Sequence, residues 1–384
     1  MTKKYKVIFQ PSGRRGEVEE GKTILEAAQA LGVDIEGLCG NKKVCGKCKV
    51  RIEEGYFEKD NIESGMAHLS PLTDTERKHI KPEDGPGIRL SCNAEIHGDI
   101  KVFVPERSRA GKQIVRKAAK ELTIALDPAV KKYNIVLTPP TLHDMTVGDY
   151  ERVLQSLKDN YGLTGLSFDF MALRTLQTVL REGEWSATAT VWMGREIIKV
   201  EPGFVEQSYG LAVDIGTTTC VGYLTDLDTG KVVSTESIMN PQVPYGEDVM
   251  SRITYAMSNP EGLETMQKAI IAGLNDICQR VAAEIGKKGP SAAHVIDDLT
   301  IVFNTAMHHI FLGMDPIYIG RSPFIPAVQN SLDIKARDLG LQIAPGAYIH
   351  VLPIEAGFVG ADNVGVLIAE EPYNQDEMVL IIDI

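Results

Sequence analysis

The stretch Gly37-Leu-Cys39-Gly-Asn-Lys-Lys-Val-Cys45-Gly-Lys-Cys48 contains three cysteines, separated by five residues and then by two. A fourth, Cys92, follows in the run Arg-Leu-Ser-Cys-Asn. Four thiolates spaced in this way can surround a pair of iron ions. The glycines between them let a loop turn tightly and aim backbone N–H groups at sulfur. The pattern therefore predicts an iron–sulfur site held by Cys39, Cys45, Cys48 and Cys92.

Two other interpretations of these cysteines are a structural zinc site and inert buried thiols. The plant-type [2Fe–2S] spacing is C-x4-C-x2-C with one distant cysteine, and the present loop is one residue longer. Structural zinc usually has C-x2-C pairs at both ends of the site, whereas the distal cysteine here is single. The spacing therefore favours a [2Fe–2S] cluster. The other two cysteines, Cys220 and Cys278, lie in apolar surroundings and are predicted to be core thiols.

Length and charge restrict the class of protein. The 384 residues suffice for two or three domains. The net charge of −12 argues against nucleic acid or an anionic membrane as the main partner. The basic start lacks the apolar run of a signal peptide, and no apolar stretch approaches the ~18 residues of a membrane span. A protein of the reducing cytoplasm is expected, because no disulfide framework is suggested.

The residues around the cysteine loop predict a small α+β domain. Alternating apolar residues predict strands at 5–10, 16–20, 48–53 and 100–105. Thr23 and Glu26 form a capping box for a helix that Gly32 ends. This order resembles the β-grasp ferredoxins, which implies a [2Fe–2S] ferredoxin domain over residues 1–104. The polar insertion 61–84 is expected to cover one edge of the cluster.

One motif in this domain imitates a phosphate-binding loop. The run Gly16-Glu-Val-Glu-Glu-Gly21-Lys22-Thr23 satisfies G-x-x-x-x-G-K-T. Its three glutamates would place negative charge beside a polyphosphate, which opposes binding. We therefore predict that this run is not a nucleotide site.

The two segments that follow the ferredoxin domain are expected to be a linker and a supporting domain. Residues 105–126 have a basic face and an apolar stripe, and are predicted to form a solvated linker helix. The alternative is a docking surface for an acidic partner or for a second copy of the chain, as in a homodimer. Residues 127–207 alternate strands and helices, with one helix predicted from Ser167 to about Arg181. They show no catalytic constellation and are predicted to be a small α/β middle domain that acts as scaffold or interface.

A second chemical centre starts in Leu211-Ala-Val-Asp214-Ile-Gly216-Thr217-Thr218-Thr219. An apolar strand leads into an acid, a glycine and three hydroxyls. Such a hairpin offers N–H and O–H donors to phosphate, and Asp214 can hold the hydration shell of Mg²⁺. The alternative is an ordinary strand turn in which threonine serves only β-propensity.

Further candidates follow in the same segment. Asp248 suits either a metal or water-positioning group or a helix cap, and the sequence does not separate the two. Gly360 and Asp362 are predicted to contribute a close backbone approach to phosphate and a second magnesium-side carboxylate. His308 and His309 are predicted to be structural, because adjacent residues of a helix do not face one metal.

The run Met378-Val-Leu-Ile-Ile-Asp383-Ile384 repeats the apolar-strand-then-Asp-Ile pattern of residues 211–215 and is predicted to be a strand. Together the two runs resemble the superfamily of sugar and acetate kinases, actins and heat-shock chaperones. The resemblance implies that residues 208–384 are the first half of an actin/sugar-kinase-like, ribonuclease H-like ATPase fold, incomplete at its C-terminal end. Residues up to Ile384 alone are then expected to bind ATP weakly or not at all.

The whole chain resembles the reductive activators of corrinoid-dependent enzymes. The runs Asn-Pro-Gln…Tyr-Gly-Glu-Asp-Val-Met-Ser-Arg, Asn-Thr-Ala-Met-His-His and Gly-Phe-Val-Gly-Ala-Asp carry this resemblance. It implies a multidomain protein of anaerobic metabolism with a [2Fe–2S] cluster, ATP and Mg²⁺. Its activity would be ATP-dependent transfer of an electron to the Co(II) corrinoid of a partner methyltransferase or corrinoid protein, which restores Co(I).

Other partners and functions complete these expectations. The chain has no D-x-H-x-x-G cobalamin signature, so the corrinoid is expected on the partner, and an upstream electron donor is implied. The alternatives are an ATP-coupled donor to another low-potential enzyme, or a redox-sensing or electron-carrying protein without ATPase activity.

Overall fold

The computed structural model describes residues 3–33, 35, 43, 46–105, 108, 125–143, 146–374 and 376–381. The chain forms two compact units. The first comprises Met1–Gln113, Met239–Met266 and Asp315–Pro323, and the second comprises Ile114–Ile238, Gln267–Met314 and Phe324–Ile384. Within the described ranges, no helix combines the length and apolarity needed to cross a membrane.

The first unit contains a five-stranded sheet in the order β2-β1-β7-β3-β6 and a separate hairpin of β4 and β5. The elements are β1 (Lys4–Gln10), β2 (Arg15–Glu19), α1 (Ile24–Ala30), β3 (Lys49–Glu53), β4 (Gly55–Phe57), β5 (Ile62–Ser64), α2 (Asp74–His79), β6 (Ile88–Leu90) and β7 (Ile100–Phe103). Val7 and Phe9 of β1 belong to one core with the apolar face of α1, since they point to the same side of the strand. Ile8 between them is also buried.

Helix α1 begins where the sequence predicts. The Thr23 hydroxyl accepts from the Glu26 N–H at 3.2 Å, and the Glu26 carboxylate accepts from the Thr23 N–H at 2.8 Å. The Gly21 N–H donates to the carbonyl of Ile96. The run that imitates a phosphate loop is thus a strand-to-helix turn, in which the Gly21 N–H is used within the domain. That it is not a nucleotide site stays a prediction.

The second unit contains a four-stranded sheet in the order β8-β10-β11-β9. Its elements are β8 (Val130–Val136), α3 (Asp149–Tyr161), β9 (Ser167–Phe168), α4 (Phe170–Glu182), β10 (Ser186–Trp192) and β11 (Glu196–Pro202). The helix predicted from Ser167 begins only at Phe170, because the Asp169 carboxylate caps it through the Met171 N–H at 2.9 Å. The predicted linker helix 105–126 lies largely outside the described residues.

A six-stranded mixed sheet in the order β14-β13-β12-β15-β17-β16 follows. The elements of this region are β12 (Tyr209–Ile215), β13 (Thr219–Asp226), β14 (Val232–Met239), α5 (Val249–Ser258), α6 (Gly262–Glu284), β15 (Ile296–Phe303), α7 (Thr305–Leu312), β16 (Leu332–Lys335), β17 (Tyr348–Val351) and α8 (Ala361–Glu370). Strand β15 is parallel to both β12 and β17. Helix α5 belongs to the first unit.

The strand predicted at residues 378–384 is wrong over its described part. Residues 378–381 are not in a strand, and Met378 and Leu380 are exposed. An apolar run becomes a strand only when a neighbouring strand accepts its backbone hydrogen bonds. Asp383 lies outside the described residues.

Buried charges join the four-stranded and six-stranded sheets of the second unit. The Lys335 ammonium contacts the carboxylates of Asp169 at 3.0 Å and Glu196 at 2.6 Å. Lys199 pairs with Asp297 at 3.0 Å, and Asp297 is fully buried. A side chain at Gly346 would lie 1.9 Å from the carbonyl oxygen of Ile198, so the two backbones touch there. These contacts agree with a scaffold role for the middle segment.

Candidate functional site

Cys48 and Cys92 form a buried pair of sulfurs. Cys48 precedes β3 and Cys92 follows β6, and these neighbouring strands bring the sulfur atoms to 3.2 Å. Their side chains are 1% and 5% exposed. Cys39 and Cys45, the other two predicted ligands, lie outside the described residues. The structure thus brings together the two predicted ligands that it describes, Cys48 and Cys92.

The surroundings of this pair favour a thiolate. The hydrogen bond with the Cys92 thiol lowers the pKa of Cys48 to about 6, against the opposing effect of burial. The Asn93 side-chain amide donates to the Cys92 sulfur at 3.4 Å. Metal ions bind cysteine as the thiolate, so these buried sulfurs have the donor chemistry that an iron–sulfur cluster requires. Cys48 and Cys92 therefore fit a [2Fe–2S] cluster.

A buried ion pair positions the strand that leads to Cys92. The Arg89 guanidinium donates to both carboxylate oxygens of Glu76, at 2.8 and 3.1 Å, and both side chains are at most 1% exposed. The Leu90 N–H also donates to this carboxylate at 3.1 Å. Burial opposes ionisation of Glu76, but the Arg89 hydrogen bonds outweigh it and hold the pKa of Glu76 below its usual value. Sequence analysis missed this pair, although the Thr73–Glu76 capping box is a local signal.

The polar insertion lies against the loop that carries Cys48. A side chain at Gly46 would meet the ring of His79, whose Nδ1 lies 2.6 Å from the position of the added carbon. The Asp84 carboxylate binds the Lys49 ammonium at 2.6 Å. The C-terminal end of α2 and the turn that follows it are therefore tied to residues beside Cys48.

The predicted phosphate hairpin lies at the end of β12. Asp214 and Gly216 precede the tip, Thr218 is exposed at the tip, and Thr219 begins β13. The Gly216 N–H donates to the Thr219 carbonyl at 2.9 Å. A side chain at Gly216 would lie 2.9 Å from that same oxygen. Gly216 therefore closes the turn, and its N–H is used within the hairpin.

Two other segments reach the same edge of the sheet. The Asn304 side chain follows β15 and donates to the Thr217 hydroxyl at 3.2 Å. A side chain at Gly360 would lie 2.4 Å from the Phe303 carbonyl, so the start of α8 packs directly against the end of β15. The carboxyl ends of parallel strands are where open α/β sheets bind ligands. Asn304 thus belongs to the candidate site. Its sequence position indicates only a helix start, so it was not among the predicted site residues.

The two remaining carboxylate candidates, Asp362 and Asp248, both lie at helix starts. Asp362 lies in the first turn of α8, and its carboxylate accepts from the Asn363 N–H at 2.9 Å. Asp248 caps α5 through the N–H and hydroxyl of Ser251, both at 2.8 Å. Of the two roles considered for Asp248, the structure shows the helix cap. Carboxylate and hydroxyl oxygens are hard ligands of the kind that Mg²⁺ prefers.

The other candidate ligands are buried in the core. His309 accepts from the Ala327 N–H at 2.9 Å, and its other ring nitrogen lies 2.9 Å from the Thr305 carbonyl. Burial, together with the neighbouring His309, lowers the pKa of His308 to about 4. Cys220 and Cys278 are fully buried, and burial raises the pKa of Cys278 to about 12. The predictions that these residues are structural are confirmed.

Three family models match successive parts of the chain. The 2Fe-2S iron-sulfur cluster binding domain matches residues 7–96. The RACo linker region matches residues 119–207, and the RACo middle region matches residues 209–375.

Individual relatives agree with these matches. The corrinoid activation enzyme RamQ of Eubacterium limosum is 26% identical over 369 residues, which cover 94% of this chain and 55% of the relative. A solved structure of a reductive activator for corrinoid, iron-sulfur protein is 29% identical with a TM-score of 0.59, and the match covers 97% of this chain and 59% of the other. The mitochondrial adrenodoxin homolog of Saccharomyces cerevisiae is 34% identical over 108 residues, 27% of this chain and 58% of the relative. The chain thus spans less than two thirds of the length of these proteins.

Proposed function

We propose that this chain, which is similar over nearly its whole length to reductive activators of corrinoid proteins, restores the Co(I) state of a partner's corrinoid in an ATP-dependent reaction. Cys39, Cys45, Cys48 and Cys92 would hold a [2Fe–2S] cluster. When bound, the cluster supplies one electron and becomes oxidised as Co(II) becomes Co(I). The observation that carries this proposal is the buried, thiolate-favouring pair of Cys48 and Cys92 within a ferredoxin-type sheet.

The hairpin at the end of β12 is the proposed nucleotide site. Asp214 would hold magnesium-bound water, and Thr217, Thr218 and Thr219 would donate to phosphate. Gly216 would close the turn, while Gly360 would let the start of α8 approach the same edge. Asp362 is a proposed second magnesium-side carboxylate. Asp248 caps α5, and a nucleotide-associated role for it stays a prediction from the sequence.

The strand order supports this assignment. Three consecutive antiparallel strands, β12 to β14, are extended by the parallel strands β15 and β17. This arrangement agrees with the ribonuclease H-like half that the kinase and actin resemblance implies. Asn304, which binds Thr217, would hold the hairpin in position relative to β15.

Coupling to ATP has a thermodynamic reason. Plant-type clusters have potentials near about −400 mV. Reduction of Co(II) to Co(I) is harder than such a cluster can easily drive, so another source of free energy is needed. A nucleotide that binds two conformations with different affinity can change how a partner is bound and hence the properties of that partner.

The test mixes the reduced protein with a Co(II) corrinoid protein, with and without Mg-ATP, and follows Co(I) by its absorption. The Asp214→Ala variant should lose the stimulation by ATP while its cluster remains reducible by dithionite. The matched control is Asp228→Ala, because Asp228 is exposed at the turn between β13 and β14. Reduction that is equally fast and complete without nucleotide would contradict the ATP coupling.

A further inference from the structure

The segment from α2 to Asp84 is fixed beside the candidate cluster loop. The His79 ring occupies the space next to Gly46, and the Asp84 carboxylate binds Lys49. The same carboxylate accepts from the Lys81 N–H at 2.8 Å. The side chains on this segment therefore keep a defined position next to Cys48.

Basic side chains dominate this part of the surface. Among the described residues of the segment and of the cysteine loop, five cations are exposed: Lys43, Lys47, Arg77, Lys78 and Lys81. The exposed acids of the segment are Asp74 and Glu83, and the Glu83 carboxylate lies 3.7 Å from the Lys81 ammonium. The other two acids are already paired, Glu76 with Arg89 and Asp84 with Lys49. The exposed charge here is therefore positive, although the chain as a whole carries −12.

Helix stability alone does not account for these cations. Basic residues in the last turn of a helix interact favourably with its dipole, and Arg77 and Lys78 lie in the last turn of α2. Lys43 and Lys47 lie outside that helix, next to the cysteines. A local field opposite in sign to the net charge attracts an oppositely charged partner to one place on a surface.

We propose that the cluster-side basic surface, defined as Lys43, Lys47, Arg77, Lys78 and Lys81, docks an acidic one-electron partner protein. This proposal rests on the proposed function, because it requires the cluster to be held by the neighbouring cysteines. The partner's acidic side chains would face the five cations while one electron passes between the cluster and the partner's redox centre.

The experiment uses two acceptor proteins of opposite charge. Plastocyanin is an acidic copper protein and cytochrome c is a basic haem protein. One electron from the reduced cluster converts Cu(II) to Cu(I) in the first and Fe(III) to Fe(II) in the second. Second-order rate constants are measured by stopped flow for the wild type and for R77E/K78E. The control is K3E/K4E, which makes the same change in net charge at the start of β1, separated from β3 by β7.

Charge steering changes association rates by a factor of about 10 or more. We expect R77E/K78E to slow plastocyanin about tenfold at low salt and to accelerate cytochrome c, whereas K3E/K4E changes both rates much less. The single variant K81E should slow plastocyanin by a smaller factor. These differences should disappear near 1 M salt, where the Debye length is about 3 Å.

Equal effects of R77E/K78E and K3E/K4E, or rates that do not depend on salt, would overturn the docking surface. The cluster absorption of each variant shows that its domain is folded. The assay contains neither corrinoid nor ATP, so its failure would leave the proposed reduction of a corrinoid protein to its own test.

Discussion

At the scale of single residues, the candidate cluster site shows what a sequence can and cannot predict. Cysteines are recognised by residue type and spacing, so the sequence alone locates the candidate ligands, even Cys92, which lies 44 residues beyond Cys48. The partner of Arg89 is not a local property, because Glu76 lies 13 residues away on another element. The same holds for Asn304 and Thr217, which are 87 residues apart. The sequence therefore offers candidate ligands, of which the structure brings Cys48 and Cys92 together, but it does not offer the side chains that position them.

Replacing a cluster cysteine should remove the iron. In Cys48→Ser and Cys92→Ser, the soft sulfur ligand becomes a harder oxygen, and iron and sulfide content should fall from two of each per chain. Cys220→Ser is the matched control, since this thiol is buried in the six-stranded sheet. Metal analysis and sulfide determination measure the result. Zinc in place of iron in the wild type would contradict the assignment.

His308 should make stability depend on pH. Its folded-state pKa is about 4 against an ordinary value of 6.5. Between these values the unfolded chain binds the proton more tightly, so the stabilisation is complete above pH 6.5 and is lost as pH falls towards 4. Each pKa unit corresponds to about 1.4 kcal/mol, which gives a loss of up to ~3 kcal/mol.

The variant His308→Gln removes this titration and should flatten the profile. Urea unfolding at several pH values, followed by tryptophan fluorescence, measures the free energy of unfolding. Exposed His143 is the control position, and His143→Gln should leave the profile unchanged. A His308→Gln profile parallel to that of the wild type would show that this residue is not the cause.

At the scale of elements, short-range signals predict helix starts well and strand pairing poorly. The Thr23–Glu26 capping box lies within one turn, and it appears where the sequence predicts. Asp169 also acts locally, and its cap moves the start of α4 beyond the predicted residue. A strand depends on a distant neighbour, which is why the apolar run from Met378 fails to become one over its described residues.

The insertion should depend on the Glu76–Arg89 pair. Glu76→Gln leaves a buried guanidinium without its counter-charge, which typically costs 3 to 5 kcal/mol, so about 4 kcal/mol of destabilisation is expected. Glu83→Gln is the matched control, because the exposed pair of Glu83 and Lys81 at 3.7 Å is worth ~1 kcal/mol or less.

Denaturation of the first unit can be followed through the visible absorption of the cluster. The double variant Glu76→Leu/Arg89→Met should recover much of the lost stability, since replacing both members of a buried pair is often neutral. A Glu76→Gln variant as stable as Glu83→Gln would show that the Glu76–Arg89 ion pair does not stabilise the first unit.

At the scale of the whole molecule, linear order does not reveal which segments fold together. Residues 239–266 and 315–323 belong to the same compact unit as the ferredoxin-type sheet, although they lie far along the chain. The charges between the two sheets of the second unit are equally non-local, because Asp169 bonds Arg337. No periodicity in the sequence encodes such pairings.

Lys335 should hold the two sheets of the second unit together. Lys335→Met removes the ammonium group that pairs with Asp169 and Glu196. The free energy of unfolding is expected to fall by about 3 kcal/mol. Lys288→Met is the control, because Lys288 is exposed. Both tryptophans of the chain, Trp185 and Trp192, report on the four-stranded sheet, and Trp192 stacks on Tyr348 with ring centroids 4.0 Å apart.

Unfolding of the variant in urea should then show two transitions, one for each sheet, when fluorescence follows the four-stranded sheet and circular dichroism follows both sheets. A single transition at the wild-type midpoint would exclude this role for Lys335.

The charge contacts between the two sheets also set an order of events during translation. Asp169 and Glu196 meet partners that follow them by 168 and 139 residues. A chain is synthesised at about 5–20 residues per second, so about 7 to 34 seconds pass between the synthesis of these acids and that of Lys335 and Arg337. During this time the face of the four-stranded sheet that later contacts the six-stranded sheet is exposed to water. We expect the hydrated carboxylates of Asp169 and Glu196 on that face to oppose aggregation. Ribosome-bound chains arrested just before residue 335 should thus become markedly more prone to aggregate when Asp169 and Glu196 are replaced by their amides.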